Sequence, residues 1–356
     1  MERKIRIGVN GFGTIGKRVA LAIKKQDDME LIGIVKTKAD YNALFAQEIG
    51  IKIFIPSQDY SKNFENSQIK FCGTLEDLIE ECDLIIDATP SGTGAKNKDV
   101  YEQKGVKAIF QGGEKPNVSE VSFNSQVNYE NAINKKYVRV VSCNTTALSR
   151  TLNAIKYFIE SVYVTIIRRA ADPEESDKGP INSIIPTFNS HHASDLKTVL
   201  SIEKITTNAY VVPTTLMHMH DVYVALNKKI SLEETAWLFK NAERVLLFDI
   251  NDSAKIMDYS KNLNRGLGGD LYEVAVLEKS IYIKEDILHY TQAVHQESIT
   301  VPENIDAVRA MFNLMNKEES TRKTDKSLGI IKNKNQDNFN YASDFCFSNF
   351  SNIRKS

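Results

Sequence analysis

A glycine-rich turn near the start of the chain is the feature that most constrains the fold. The stretch "VNGFGTIGKRVALAIKK" places Gly11, Gly13 and Gly16 in G-x-G-x-x-G spacing between an apolar run and an amphipathic one. In this context Gly11 permits a tight turn, Gly13 lets a pyrophosphate approach the backbone, and Gly16 allows close helix–strand packing. Amides near Thr14 and Ile15 would then face the phosphates. The alternative is a turn that only connects two elements, but the strand–turn–helix context favours dinucleotide binding.

The pattern of apolar residues changes about 140 residues into the chain. Before that point, apolar runs such as "MELIGIVKT", "CDLIIDATP" and "GVKAIFQGG" alternate with amphipathic stretches. This alternation predicts a doubly wound parallel sheet of the Rossmann type. Later segments such as "SVYVTIIRRAAD" and "DLYEVAVLEKSIYIK" alternate polar and apolar residues, which is typical of antiparallel strands. The sequence therefore predicts an α/β protein whose second, α+β domain has a largely antiparallel sheet.

Composition narrows the possible partners and locations. The chain has 356 residues and a formal net charge of −1, so nothing global favours binding to nucleic acid or to an anionic membrane. No apolar run reaches the ~18 residues of a spanning helix, and "MERKIRIGVNGFG" lacks the apolar core of a signal peptide. The four cysteines form no C-x-x-C pair. We therefore expect a cytoplasmic protein without membrane or nucleic-acid partners.

The end of the second predicted strand bears on the choice of coenzyme. An acidic residue there usually binds a ribose 2′-hydroxyl, but this chain has Lys36, Thr37 and Lys38. A cation at this place favours a 2′-phosphate, and the alternative is a pair of solvated surface lysines. The sequence predicts that both NADP and NAD are used, with a preference for NADP through Lys36 and Thr37.

Cys143 is the candidate nucleophile, in the stretch "VRVVSCNTTALSR". It follows an apolar run and begins a helical pattern that continues to Ile159, and a helix N-terminus favours a thiolate. Asn144 and the threonines after it could cap this helix or donate to an oxyanion. The alternative is that Cys143 is a small apolar residue in the core.

A nucleophile needs a partner for proton transfer, and two histidine pairs are candidates. The period of a strand places His218 and His220 of "HMH" on one face, and spacing alone does not say which is closer to the sulfur. His191 and His192 form the second pair. A metal site is an alternative, but no typical ligand motif accompanies these histidines, so none is predicted. Arg168 and Arg169 would point to opposite faces of a strand, so only one could bind a given anion.

Taken together, these stretches resemble the archaeal type of glyceraldehyde-3-phosphate dehydrogenase. The resemblance runs from about residue 4 to residue 332, through "NGFGTIGKRVA", "IFQGGEK", "RVVSCNTTAL", "SHHASD", "VPTTLMHMH" and "AVHQESITVPENIDAVRA". It implies that Cys143 forms a thiohemiacetal and then a thioester, which inorganic phosphate releases as 1,3-bisphosphoglycerate. It also implies that His218 is the general base.

The resemblance implies further contacts and an assembly. The substrate contacts it implies are Ser142, Asn144, His191 and His192. The cofactor contacts it implies are Thr14, Ile15, Gly112, Arg169 and Gln296. Members of the family are homotetramers, which we expect here as well.

The resemblance also implies the domain boundaries. Residues 1–140 and 302–332 would form the dinucleotide-binding domain and residues 141–301 the catalytic domain. We expect residues 333–356, which are asparagine-rich and aperiodic, to be disordered. The glycines of "NRGLGGDLYEV" depart from the family pattern and leave that loop's geometry open.

Two other functions fit part of the pattern. Another cysteine-dependent dehydrogenase, for example one acting on aspartate semialdehyde, would share the fold and the thioester. A redox-sensing protein could keep the dinucleotide domain and lack catalysis, although the presence of both Cys143 and His218 argues against it.

Overall fold

Two β-sheets organise the computed structural model, which describes residues 3–171 and 179–330. Within those residues the first sheet has seven strands, all parallel, in the order β3-β2-β1-β4-β5-β7-β6. The strands are β1 (Ile5–Asn10), β2 (Met29–Val35), β3 (Ile53–Phe54), β4 (Leu84–Asp87), β5 (Lys107–Phe110), β6 (Val121–Phe123) and β7 (Tyr137–Val140). The predicted doubly wound parallel sheet is thereby confirmed.

Helices connect these parallel strands, as crossover connections require. They are α1 (Thr14–Lys24), α2 (Tyr41–Glu48), α3 (Leu75–Glu80), α4 (Thr93–Lys104) and α5 (Ser125–Asn128). Polar residues define several starts: the Asp40 side chain caps α2, and Thr74 with Asp77 forms a capping box on α3. The helix predicted after the glycine-rich turn is α1, which buries Val19, Ala20 and Ile23.

The second sheet follows and is largely antiparallel. In the described part of the chain it has eight strands in the order β12-β13-β15-β11-β8-β10-β9, with β14 beside β15. They are β8 (Ile159–Arg169), β9 (Ile185–Thr187), β10 (Ile205–Val212), β11 (His218–Leu226), β12 (Val245–Phe248), β13 (Val274–Leu277), β14 (Tyr282–Lys284) and β15 (Ile287–Val294). Only the pairs β8–β10 and β12–β13 run parallel among the pairs in this described sheet, so the predicted mixed architecture is confirmed.

Helix α6 (Cys143–Ala154) covers one face of this second sheet, and α7 (His192–Leu196), α8 (Leu232–Asn241) and α9 (Ser253–Asn262) follow it. Leu148 and Leu152 of α6 share a buried core with Val222 and Tyr290 of the sheet. The helical pattern predicted to reach Ile159 is too long, because α6 ends at Ala154 and Ile159 begins β8. Ile159 nevertheless packs against the same core, so the apolar spacing reflects a shared core rather than one helix.

The chain then returns to the first sheet through α10 (Val301–Met311) and α11 (Lys317–Leu328). Pro302 lies in the first turn of α10, where its missing N–H costs no helical hydrogen bond. Ile305 and Val308 belong to the same buried core as Val138 and Val140 of β7. The last two helices therefore stabilise the N-terminal sheet.

A buried cluster of charges joins the two parts. Glu303 of α10 accepts from Arg150 of α6 at 2.7 Å and lies 3.4 Å from Arg244. Arg244 also pairs with Asp306 and Asp325, each at 2.8 Å. These side chains are almost wholly excluded from solvent, so each charge depends on its partners.

Two further expectations from the sequence concern membrane-spanning helices and the C-terminal tail. In residues 3–171 and 179–330, no helix is long and apolar enough to cross a membrane. The tail at 333–356 lies outside the described residues.

The charge cluster predicts a large stability loss for Glu303→Gln. The isosteric amide leaves Arg150 and Arg244 short of one buried negative charge, and breaking a buried pair costs about 3–5 kcal/mol. Urea unfolding measures this loss. Glu160→Gln is the matched control, because Glu160 pairs with Lys204 on the surface and such pairs contribute about 0–1 kcal/mol. Equal losses in the two variants would contradict the assignment.

Candidate active site

Cys143 lies at the N-terminus of α6, directly after β7 and a short connection. Ser142 is the N-cap residue, and its hydroxyl oxygen accepts from the backbone N–H of Thr145 at 3.3 Å. The sulfur sits in a cavity of about 610 Å³ between the two sheets. The sequence-based prediction that Cys143 begins a helix and faces a ligand site therefore has a structural counterpart.

The same cavity brings together most of the predicted substrate and catalytic residues. Its lining includes Gly112, Ser142, Asn144, His191, His192 and His218 beside Cys143. It also includes Arg168, one of the two candidate anion-binding arginines, and four charged residues that the sequence did not indicate for this site: Glu114, Lys115, Arg139 and Asp195. Arg139 and Asp195 are paired with each other, and Asp195 also accepts from Thr145 Oγ1 at 2.5 Å.

Opposing effects act on the pKa of the Cys143 thiol. Burial raises the pKa of this thiol above its ordinary value, while the charges of Arg168 and Arg169 and the backbone N–H of Asn144 lower it. Removal of water therefore opposes the stabilisation of a thiolate that the helix N-terminus and the two arginines provide.

Arg168 is the side chain that supplies a cation to the cavity. Alternation along β8 directs Arg168 and Arg169 to opposite faces, as predicted, and Arg168 lines the cavity. Its Nε is buried and has no hydrogen-bond partner among the described residues. A buried guanidinium nitrogen without an acceptor is suited to an anion that enters from the cavity. The pattern of two adjacent arginines was the available signal, but it could not say which one faces the site.

Arg169 and Gln296 lie apart from this cavity. Arg169 Nη1 donates to Glu297 at 2.7 Å and to the Thr215 carbonyl at 3.3 Å. With its amide oxygen turned toward Arg169, Gln296 accepts from Nη2 at 2.9 Å. Gln296 lines a separate cavity of about 230 Å³ beside Arg18. Their roles as cofactor contacts stay predictions.

A directed chain of hydrogen bonds fixes Asn144. Gln292 Nε2 donates to His220 Nδ1 at 2.9 Å, and His220 Nε2 donates to Asn144 Oδ1 at 2.9 Å. Asn144 Nδ2 then donates to His192 Nε2 at 3.1 Å, and His192 Nδ1 donates to Ser190 Oγ at 3.0 Å. Every donor in this assignment points the same way, which requires neutral rings. Burial lowers the pKa of His192 and of His220 to about 3, consistent with this state.

His218 is the histidine of the His218–His220 pair that reaches the cavity. Its Nδ1 accepts from the backbone N–H of Arg169 at 3.0 Å. Burial and the nearby arginine charges lower its pKa well below the ordinary value. A neutral ring that accepts at Nδ1 carries its hydrogen on Nε2, so the nitrogen left for a ligand is a donor. His220 is fully buried and does not line the cavity.

Across residues 3–171 and 179–330, no group of three His, Cys, Asp or Glu side chains is arranged to hold a metal ion. His192 and His220 bond to Asn144 instead, as described above.

A second cavity of about 780 Å³ lies over the glycine-rich turn. Gly11 has a positive φ of 99°, and a Cβ on Gly16 would lie 2.0 Å from the Gly11 carbonyl oxygen. A Cβ on Gly13 would meet nothing within 4 Å, so the space above it is open. Thr14 and Ile15, at the start of α1, line the cavity together with Gly11 and Gly13. Since Gly13 caps α1 without a side chain, the geometry fits a pyrophosphate on the helix N-terminus.

The far end of this cavity is formed where β2 ends. Lys36 and Thr37 line it, as the sequence predicts, together with Tyr60 from a short 3₁₀ helix. The Lys36 ammonium donates to Asp40 at 2.7 Å. Asp40 was not singled out from the sequence, because its relation to Lys36 depends on the turn into α2.

Comparisons with known proteins agree with this geometry. The family model for the C-terminal domain of glyceraldehyde 3-phosphate dehydrogenase matches residues 142–270, and that for the N-terminus of dihydrodipicolinate reductase matches residues 5–113. The glyceraldehyde-3-phosphate dehydrogenase of Pyrococcus abyssi is 55% identical over 335 residues, which cover 92% of this chain and 100% of that protein. The enzymes of the same name from Thermoplasma volcanium and Saccharolobus islandicus are 50% and 47% identical, again over 92% of this chain and over 99% and 98% of theirs.

This chain belongs to the archaeal-type glyceraldehyde-3-phosphate dehydrogenase family. The resemblance stated from the sequence is thus confirmed. For this family member, the matched C-terminal segment begins at Ser142, beside Cys143, and contains Arg168 and His218. The match to the dihydrodipicolinate reductase N-terminus runs from β1 to Gly113 and so includes the glycine-rich turn.

The buried histidines of this family member predict a loss of stability in acid. Burial lowers the pKa of His295 to about 4, that of His192 and His220 to about 3, and that of His218 well below its ordinary value. Below the unfolded pKa of about 6.5, the unfolded chain binds protons that the folded chain does not. Each buried neutral ring then lowers the free energy of unfolding by up to about 1.4 kcal/mol for every unit by which the pH falls.

Urea unfolding at pH 7.5 and at pH 5.5 measures this effect. Four such rings predict a loss of up to about 5 kcal/mol between these two pH values. The variant His295→Gln lacks one of these titrating groups and is expected to show a shallower pH dependence. Equal free energies of unfolding at the two pH values would show that the rings are not buried in the neutral form.

Proposed function

We propose that this protein oxidises D-glyceraldehyde 3-phosphate to 1,3-bisphosphoglycerate with a nicotinamide dinucleotide and inorganic phosphate. The observation that carries the proposal is the meeting of Cys143, Arg168 and His218 in one cavity. The dinucleotide cradle on the neighbouring sheet and the names of the similar enzymes support it.

Both substrates of this reaction are anions, and the cavity has positive charge for them. Arg168 has a buried Nε without an acceptor among the described residues, and Lys115, which is exposed, also lines the cavity. Ser142 and His191 add hydrogen-bonding groups to the same lining. We propose that Arg168 binds a phosphate group, and that its charge lowers the pKa of Cys143, whose proton passes to solvent before the attack.

Cys143 performs the covalent chemistry in this proposal. Its thiolate attacks the aldehyde carbon, a C–S bond forms, and the carbonyl electron pair moves to oxygen. The sequence-based hypothesis assigns His218 as the base for this oxygen. With Nδ1 accepting from the Arg169 amide, His218 instead donates Nε2–H to the developing alkoxide and stabilises its charge. Asn144 has one further Nδ2–H beyond the one given to His192 and can donate to the same oxygen.

The alkoxide of the substrate bound to Cys143 then re-forms its C=O bond as hydride leaves the carbon, which gives the thioester. When bound, the nicotinamide ring supplies the acceptor for the hydride that leaves the carbon. A phosphate oxygen next attacks the thioester carbon, the C–S bond breaks, and Cys143 returns to the thiolate. The covalent intermediate divides one difficult oxidation into easier steps and retains the energy of the thioester for phosphoryl bond formation.

We propose that both NADP and NAD serve as the dinucleotide. Lys36 and Thr37 at the end of β2 offer an ammonium and a hydroxyl group to a 2′-phosphate, as the sequence suggests. NAD needs neither group, so it also fits this cavity.

We further propose a homotetramer in the cytoplasm. Large apolar side chains are exposed on residues 179–190, where Ile181 is 76% and Phe188 70% exposed. A second exposed set, Tyr163, Tyr223 and Tyr282, lies on strands of the second sheet. Exposed apolar side chains in these two sets support contacts between copies of the chain. The free thiols of Cys72, Cys82 and Cys143 suit a reducing compartment.

The same proposal includes the domain division. Residues 1–140 with 302–332 would bind the dinucleotide, and residues 141–301 would carry the chemistry. The shared core of α10 with β7 supports this division.

The proposed function predicts that Cys143→Ser abolishes turnover. The assay is phosphate-dependent reduction of NADP and of NAD with glyceraldehyde 3-phosphate, and aspartate semialdehyde is the competing substrate to compare. Fluorescence titration of the variant should show nearly normal dinucleotide binding, because the cradle lies on the other sheet. Activity above a few per cent of the parent would contradict the role of Cys143. Faster turnover of aspartate semialdehyde would favour the rival enzyme.

The contrast between His218 and its neighbour predicts unequal effects on turnover. His218→Ala should lower kcat by about 10²–10⁴-fold, the usual contribution of a positioned proton donor or acceptor. His220→Ala removes a ring that hydrogen-bonds to Asn144 and Gln292 and does not line the cavity, so it should lower kcat much less. A larger loss at His220 would show that the reacting oxygen depends on the buried chain instead.

A further inference from the structure

The adenosine end of the glycine-turn cavity holds a built ion pair. Lys36 Nζ lies 2.7 Å from Asp40 Oδ2, and the Lys36 side chain is only 10% exposed. The backbone N–H of Lys36 donates to the Phe54 carbonyl at 2.9 Å, so the root of the side chain is fixed by the sheet. The one cation that lines this end of the cavity in the described structure is therefore already paired.

Asp40 is itself held in place. Its Oδ1 accepts from the Ala43 N–H at 3.0 Å as the N-cap of α2. Hydrogen bonds from Lys36 and Ala43 outweigh the effect of burial and hold the pKa of this carboxyl group below its ordinary value. Asp40 is thus a fixed negative charge at neutral pH. Thr37 and Lys38, the other polar side chains at the end of β2, are exposed.

This pairing changes what Lys36 can do for a 2′-phosphate. A phosphate that approaches the ammonium must share it with a carboxylate of the same sign as itself. A ribose 2′-hydroxyl is neutral and meets no such repulsion, so the pair can stay intact. Sequence reasoning treated Lys36 as an unpaired cation, because the four-residue separation from Asp40 did not reveal the contact.

We propose that Asp40 is a specificity-determining residue that holds NADP affinity down by occupying Lys36. The proposal rests on the dinucleotide binding stated under "Proposed function" and extends it. In this arrangement dual specificity is a property of the Lys36–Asp40 pair rather than of Lys36 alone. Removal of the carboxylate charge releases the ammonium to the 2′-phosphate and removes a repulsion from the same ligand.

The test is Asp40→Asn in the full chain, with dissociation constants measured by calorimetry for NADP, NAD, 2′,5′-ADP and AMP. Asn is as good an N-cap as Asp, so α2 keeps its start. We expect about tenfold tighter binding of NADP and 2′,5′-ADP, the change from losing one competing charge contact, and less than about twofold for NAD and AMP.

Two further variants test whether the gain in NADP affinity depends on the Lys36–Asp40 pair or only on the loss of one negative charge. In Lys36→Met, the second substitution Asp40→Asn should improve NADP binding much less, because no ammonium is left to release. Asp252→Asn is the matched control, since Asp252 caps α9 through Ala254 and Lys255 in the same way and lies on the other part of the chain. It should leave all four dissociation constants unchanged.

The outcomes distinguish this inference from the proposed function. An unchanged NADP to NAD ratio in Asp40→Asn, with both dinucleotides still bound, would overturn the role of Asp40 alone. If Asp40→Asn improved NADP affinity equally with and without Lys36, the role of Asp40 would also be overturned. Removal of its charge would then explain the gain without any release of the Lys36 ammonium. Failure of the parent protein to bind either dinucleotide would instead overturn the proposed function.

Discussion

The buried carboxylate of Glu303 is the contact on which the arrangement of the two sheets depends. It lies on α10, which packs on the first sheet, and it pairs with Arg150 on α6, which packs on the second. Because α6 begins at Cys143, fixing Arg150 two turns later also fixes the sulfur relative to the dinucleotide cradle. A buried charge without its partner is costly, so few other arrangements of the two sheets are tolerated.

The arginines near Cys143 differ in whether a carboxylate neutralises them. Arg139 and Arg169 are each paired with a carboxylate, whereas Arg168 Nε has no partner in the part of the chain that the structure describes. Burial lowers the pKa values of His192 and His218, so these two rings orient and donate without adding charge. The cavity thus keeps positive charge for anionic ligands, while burial raises the pKa of the Cys143 thiol and the nearby arginine charges lower it.

Much of the fold and of the site could be predicted because the responsible signals are local. The turn at Gly11, Gly13 and Gly16 lies within one strand–turn–helix unit, and its steric requirements are independent of the rest of the chain. Cys143 at the start of α6 follows from an apolar run next to a helical pattern, although the cap is Ser142 rather than the predicted Asn144 or the threonines after it. The helix predicted to reach Ile159 was too long because periodicity reports burial, and one core can bury both a helix and the following strand.

The sequence by itself determined the fold class, the dinucleotide turn, the position of Cys143 and the two histidine pairs, since each depends on residues close along the chain. Tertiary structure alone decided that Arg168 rather than Arg169 faces the cavity and that His220 is enclosed with Asn144 and Gln292. It also decided the direction in which the pKa of Cys143 moves. These properties depend on burial and on partners far away in sequence, which a local pattern of residues does not contain.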